Sequence, residues 1–81
     1  MISGEQIRAG RALVGISGRE LSEMSGISYP TIQRIESSGT DKSAMATVTA
    51  ILNALESRGV QFLDTGEVAL GVGVALRDRE D

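Results

Sequence analysis

The chain has no cysteine and no histidine. The first absence excludes disulfides and thiolate metal sites. The second removes the commonest metal ligand and the commonest general base. Aromatic residues are scarce: Tyr29 and Phe62 are the only two. No apolar run approaches the roughly 20 residues that a membrane-spanning helix needs. The first ten residues, MISGEQIRAG, lack the basic-then-apolar order of a signal peptide. No nucleophile–base pair or carboxylate constellation is recognisable. These absences point away from an enzyme, from metals, cofactors and membranes, and toward a cytoplasmic protein.

What is present fits one small domain: 81 residues with a net charge of -3. A protein that binds nucleic acid through phosphates alone would be basic. The charge is unevenly distributed, however. Residues 1–42 carry Arg8, Arg11, Arg19, Arg34 and Lys42 against Glu5, Glu20, Glu23, Glu36 and Asp41, which balance. The excess sits in residues 43–81, where Arg58, Arg77 and Arg79 face Glu56, Asp64, Glu67, Asp78, Glu80 and Asp81. A neutral half with locally grouped arginines is compatible with DNA; the acidic half is not.

Capping chemistry divides the first half into helices. Ser3 stands three residues before Gln6, and Ser17 three before Glu20, the capping-box spacing at a helix start. Ile7, Leu13 and Val14 supply apolar positions in the first helix, with Gly10 a weak spot and Gly15 a stop. Leu21 and Met24 face inward from the second helix, which Gly26 ends. Ser28 caps the third helix, with Pro30 in its first turn. Ile32 and Ile35 point to the core, leaving Tyr29, Thr31, Gln33 and Arg34 on other faces. Residues 37–42 are a polar loop. The apolar stripe Met45, Val48, Ile51, Leu52 and Leu55 predicts a fourth helix from about Ser43 to Arg58, with Gly59 as its C-cap.

After Gly59 the period falls to two. Val60 and Phe62 alternate with Gln61, and Asp64 to Glu67 reads as a turn. Val68, Leu70, Val72, Val74 and Leu76 then alternate with Ala69, Gly71, Gly73 and Ala75, which predicts a hairpin. The alternating charges of residues 78–81 read as a solvated tail.

The segment SGRELSEMSGISYPTIQRIE, from Ser17 to Glu36, meets the needs of a helix-turn-helix. Ser22 is small where two helices cross, Gly26 permits the sharp turn, and Leu21, Ile27, Ile32 and Ile35 fix the angle. The start of the third helix is then left outward. With RALVGIS (Arg11 to Ser17), RELSEMSGIS (Arg19 to Ser28) and TIQRIE (Thr31 to Glu36), residues from about Gln6 to Gly59 resemble the Cro/CI-type (XRE) helix-turn-helix domain. Order, spacing and residue type agree over more than twenty positions, and the resemblance spans about two-thirds of the chain.

The resemblance implies an all-α fold, a lambda-repressor-like four-helix domain over residues 3–59, here followed by a β-hairpin (60–77) and a charged tail (78–81). It implies a sequence-specific DNA-binding transcriptional regulator, in the first place a repressor acting as a homodimer on the major groove of a palindromic operator. Antitoxin-like or phage-type autorepression, and a protein-interaction module without DNA binding, are the alternatives. The start of the recognition helix places Tyr29, Pro30, Thr31 and Arg34 against bases, Arg34 being suited to guanine. Ser28 caps that helix and is a further contact. Ser17 with the backbone amides of Gly18 and Arg19 matches the family's phosphate site, and Lys42 is a candidate in its loop. Arg19 has an alternative partner in Glu23 at i,i+4. Arg11 and Glu36 match a structural ion pair of some members. Two departures matter: Gly18 stands where the family often has glutamine, and the recognition helix opens Tyr-Pro, which thins direct readout.

The hairpin carries Val68, Leu70, Val72, Val74 and Leu76 on one face and only small residues on the other. Such a face must be covered. The expectation is a homodimer through this face; the alternatives are a hairpin folded back on its own fourth helix and a partly disordered tail.

Overall fold

The computed structural model describes residues 2–63 and 73–76. Four helices come first: α1 (Gly4–Val14), α2 (Gly18–Ser25), α3 (Tyr29–Ser38) and α4 (Met45–Glu56). Two short antiparallel strands follow, β1 (Val60–Leu63) and β2 (Gly73–Leu76). The domain is mostly helical with a small C-terminal hairpin, as expected.

Local chemistry starts the first three helices. In α1 the Ser3 hydroxyl accepts from the Gln6 amide at 3.1 Å, and Gln6 Oε1 accepts from the Ser3 amide at 2.8 Å. In α2 the same exchange joins Ser17 and Glu20, at 3.0 and 2.8 Å. Each box satisfies two amides that have no partner within the helix. Ser28 accepts from the Thr31 amide and donates to the Thr31 hydroxyl at 2.8 Å, with Pro30 inside the first turn of α3.

The turn between α2 and α3 is built from short polar links. Gly26 has φ 76°, where a side chain would clash, and its amide donates to the Ser22 carbonyl. The Ser22 hydroxyl donates to the Ile27 carbonyl at 2.6 Å. Ser25 donates to the Leu21 carbonyl and accepts from the Ile27 amide.

The core joins all four helices to the hairpin through Ile7, Ile16, Leu21, Ile32, Ile35, Ile51, Ala54, Leu55 and Val60. Val14, Met24, Ile27 and Phe62 pack against it, partly buried. Two residues of the expected apolar faces are instead largely exposed: Leu13 at 44% and Met45 at 66%. Close approach fixes the angle of α1. A Cβ on Gly4 would stand 2.7 Å from the Glu36 carbonyl oxygen and closer still to that of Ile35. Thr40 then donates to the Ile2 carbonyl at 2.8 Å, tying the loop after α3 to the residues before α1.

The fourth helix is shorter than its apolar stripe suggested. Ala44, not Ser43, takes the N-cap position, without a side-chain bond. The Ser43 amide instead donates to the Thr40 carbonyl in a preceding turn, and its hydroxyl is buried without a partner. At the other end Ser57 caps the helix, and Gly59, at φ 96°, turns the chain into β1.

The hairpin also differs. The register pairs Val60 with Leu76, Phe62 with Val74 and Leu63 with Gly73. A tight turn at 64–67 would instead have set Leu63 opposite Val68. That turn, Val68, Leu70, Val72 and the tail all lie outside the described residues, as does the side chain of Leu76. Val74, expected on an intermolecular face, packs against the protein's own core. The reason is Gln6. Its Nε2 donates to the carbonyls of Leu63 at 3.1 Å and Gly73 at 2.8 Å, so one α1 side chain holds both strands.

Candidate nucleic-acid interface

The candidate residues converge on one side of the domain, where the N-termini of α2 and α3 come together. Two clefts flank α3. The larger, about 450 Å³, lies between α1, the start of α2 and α3, and includes Arg8, Ser17, Gly18, Tyr29, Gln33 and Ser37 in its lining. The smaller, about 290 Å³, is lined by Arg34, Ser38, Gly39, Asp41 and Lys42. The exposed ridge of α3 between them carries Gln33 and Arg34 side by side.

Ser17, Arg19, Ser28, Pro30, Arg34 and Lys42 are exposed, while Gly18, Tyr29 and Thr31 are half-buried. Ser17 is engaged in its capping box, which leaves the first amides of α2 open to an anion at the positive end of the helix dipole. Thr31 is tied to Ser28 and is less available than a free hydroxyl.

Tyr29 differs most from expectation. Its ring lies over the start of α2 rather than outward. A Cβ on Gly18 would meet ring atom Cε1 at 2.7 Å, so the ring occupies space that a side chain at residue 18 would need. The Arg19 guanidinium sits over the ring, 4.5 Å from its centroid, a cation–π geometry. The alternative pairing of Arg19 with Glu23 is not formed: the one ion pair among the described residues is Arg11–Glu36.

That pair is bidentate. Arg11 Nε and Nη2 donate to the two Glu36 oxygens at 2.7 and 2.9 Å, and Nη1 donates to the Ile16 carbonyl at 3.2 Å. The bond to Glu36 pushes the Arg11 pKa up against the opposing effect of burial. Arg11 therefore locks α1 to α3 and braces the loop before α2, so it is a scaffold residue at the edge of the larger cleft.

Two further residues on this side are not among the expected contacts, the sequence assigning Gln33 to solvent. Arg8 lies one turn before Arg11 on α1, and Gln33 one turn after Tyr29 on α3. The i,i+3 and i,i+4 spacings were the available signal. Among the described residues there is no group of carboxylates placed to hold a metal ion, and no helix long and apolar enough to cross a membrane.

Two capped helices crossing at a glycine turn, the second with an exposed polar ridge, define a helix-turn-helix. A family description, Helix-turn-helix, matches residues 7–61, more than half of the chain. The protein belongs to this family, the Cro/CI-type (XRE) helix-turn-helix domains, which are DNA-binding regulators and not enzymes. Among curated proteins none matches the chain.

Proposed function

We propose that the chain is a sequence-specific transcriptional repressor that works in the cytoplasm as a homodimer on a palindromic operator. The observation that carries this reading is the exposed ridge of α3, with Arg34 upon it and a cleft on either side. A helix of this kind enters the major groove, and the clefts face the two flanking backbones. Arg34 donates two hydrogen bonds to guanine O6 and N7. Ser17, with the amides of Gly18 and Arg19, holds one backbone phosphate, joined by Arg19 itself; Ser28 and Lys42 contact the backbone nearby. Pro30 and Thr31 line the groove through apolar contact.

The charge balance of residues 1–42 implies weak electrostatic attachment by a single copy. A two-fold dimer sets two recognition helices about 34 Å apart and couples the two binding events. Among the described residues the sheet has two strands and so two unpaired edges; pairing across a two-fold axis through β2 closes one of them, and the aliphatic Val68, Leu70 and Val72 are the further residues assigned to the dimer contact. Deleting residues 67–81 tests the dimer. The reading expects a monomeric mass with much weaker operator binding; retention of the native mass and affinity refutes it.

A further inference from the structure

In a recognition helix the first residues are the natural readers of bases, and Tyr29 is the first residue of α3. Its ring is already committed. It fills the space beside Gly18 and supports the Arg19 guanidinium at 4.5 Å. Turning the ring outward would open a gap over Gly18 and lose the stacking contact. One turn further along, Gln33 and Arg34 are both exposed and adjacent, each beside a different cleft.

We infer that base recognition is displaced one turn along α3, to Gln33 beside Arg34, and that Tyr29 is a positioning residue for Arg19. The inference rests on the DNA-binding reading and deepens it. A glutamine amide offers one acceptor and two donors, which match the adenine N6 amino group and N7. Gln33 therefore selects an A·T pair next to the guanine that Arg34 selects. Tyr29 holds the Arg19 guanidinium toward the phosphate at the start of α2, and this contact is the same for every sequence.

The test selects binding sites from a random duplex pool with the full chain and four variants, each checked for folding by circular dichroism. The wild type should enrich one motif. Gln33→Ala should keep that motif except at one base pair, where the preference falls about tenfold. Gln33→Glu, which can only accept, should move that preference from adenine toward cytosine. Tyr29→Phe keeps the ring and should leave the motif unchanged. Tyr29→Leu should weaken binding to selected and scrambled duplexes alike, with the motif unchanged. An intact motif in both Gln33 variants overturns the inference, as does loss of a base preference in Tyr29→Phe. If the wild type enriches no motif, the DNA-binding reading itself falls, and this inference with it.

Discussion

Breaking the Arg11–Glu36 pair from one side should cost more than replacing it from both. The side chains are 21% and 10% exposed, so the carboxylate is the more deeply buried partner. Removing one partner of a fully buried pair costs about 3–5 kcal/mol, because the other charge is stranded. Partial exposure lowers these values. Arg11→Met strands the more buried carboxylate and should cost about 2 kcal/mol. Glu36→Leu strands a guanidinium that keeps its bond to the Ile16 carbonyl and more of its water, so about 1 kcal/mol is expected. The double variant places two apolar side chains in contact and should lie within about 1 kcal/mol of the wild type. The coupling is then about 3 kcal/mol, a measurable part of the roughly 4–12 kcal/mol expected for a chain of this size. Urea unfolding at one protein concentration measures all four free energies, the fixed concentration being needed because the proposed dimerisation would add to stability. Additive losses, with the double variant as unstable as the sum of the singles, would refute the assignment of Arg11 as a lock between α1 and α3.

Gln6→Leu should destabilise the protein by about 2 kcal/mol, since it leaves the Leu63 and Gly73 carbonyls without their donor and the Ser3 amide without its capping-box acceptor. Amide exchange should accelerate across 60–63 and 73–76 before it does in α1; unchanged protection there would contradict the clamp. Gly18→Ala should bring no net stabilisation, although alanine is the better helix former by up to about 1 kcal/mol. The new Cβ displaces the Tyr29 ring, and as the chain has one tyrosine and no tryptophan, the tyrosine band of the near-ultraviolet signal, at longer wavelength than the bands of Phe62, reports that ring alone. A stability gain with an unchanged tyrosine signal would show that the ring does not occupy the space beside residue 18.

The scaffold was legible wherever its determinants are local. Ser3, Ser17 and Ser28 each cap a helix because the bond they need lies three residues away in sequence. Gly15 and Gly26 stop helices because the left-handed conformation is a single-residue property. The misread ends of α4 show the limit of that logic. Ser43 and Gly59 have the residue types of caps, but the loop bonds Ser43 to Thr40, and Gly59 sits in the turn before β1 with its amide donating to the Glu56 carbonyl. Met45 obeys the helical period yet is largely exposed on the first turn of α4, at the rim of a shallow cleft with Ile2, Val48 and Leu52. The hairpin register depended on Gln6, whose capping role concealed a second role 57 and 67 residues away. At the candidate interface, position and exposure of Arg34 followed from helix periodicity. The orientation of Tyr29 did not, since it is set by the empty space beside a glycine on another helix.

The central claim is that α3 reads DNA sequence through Arg34. Fluorescence anisotropy with a selected duplex and a scrambled one, at a single fixed salt concentration, tests it most directly. Wild-type protein should bind the selected duplex far more tightly than the scrambled one. Arg34→Ala should lose about 1–3 kcal/mol on the selected duplex, roughly five- to 150-fold in affinity, and much less on the scrambled one, with its melting temperature unchanged. Equal affinity of the wild type for both duplexes, or an Arg34→Ala variant that still discriminates fully between them, would contradict the account.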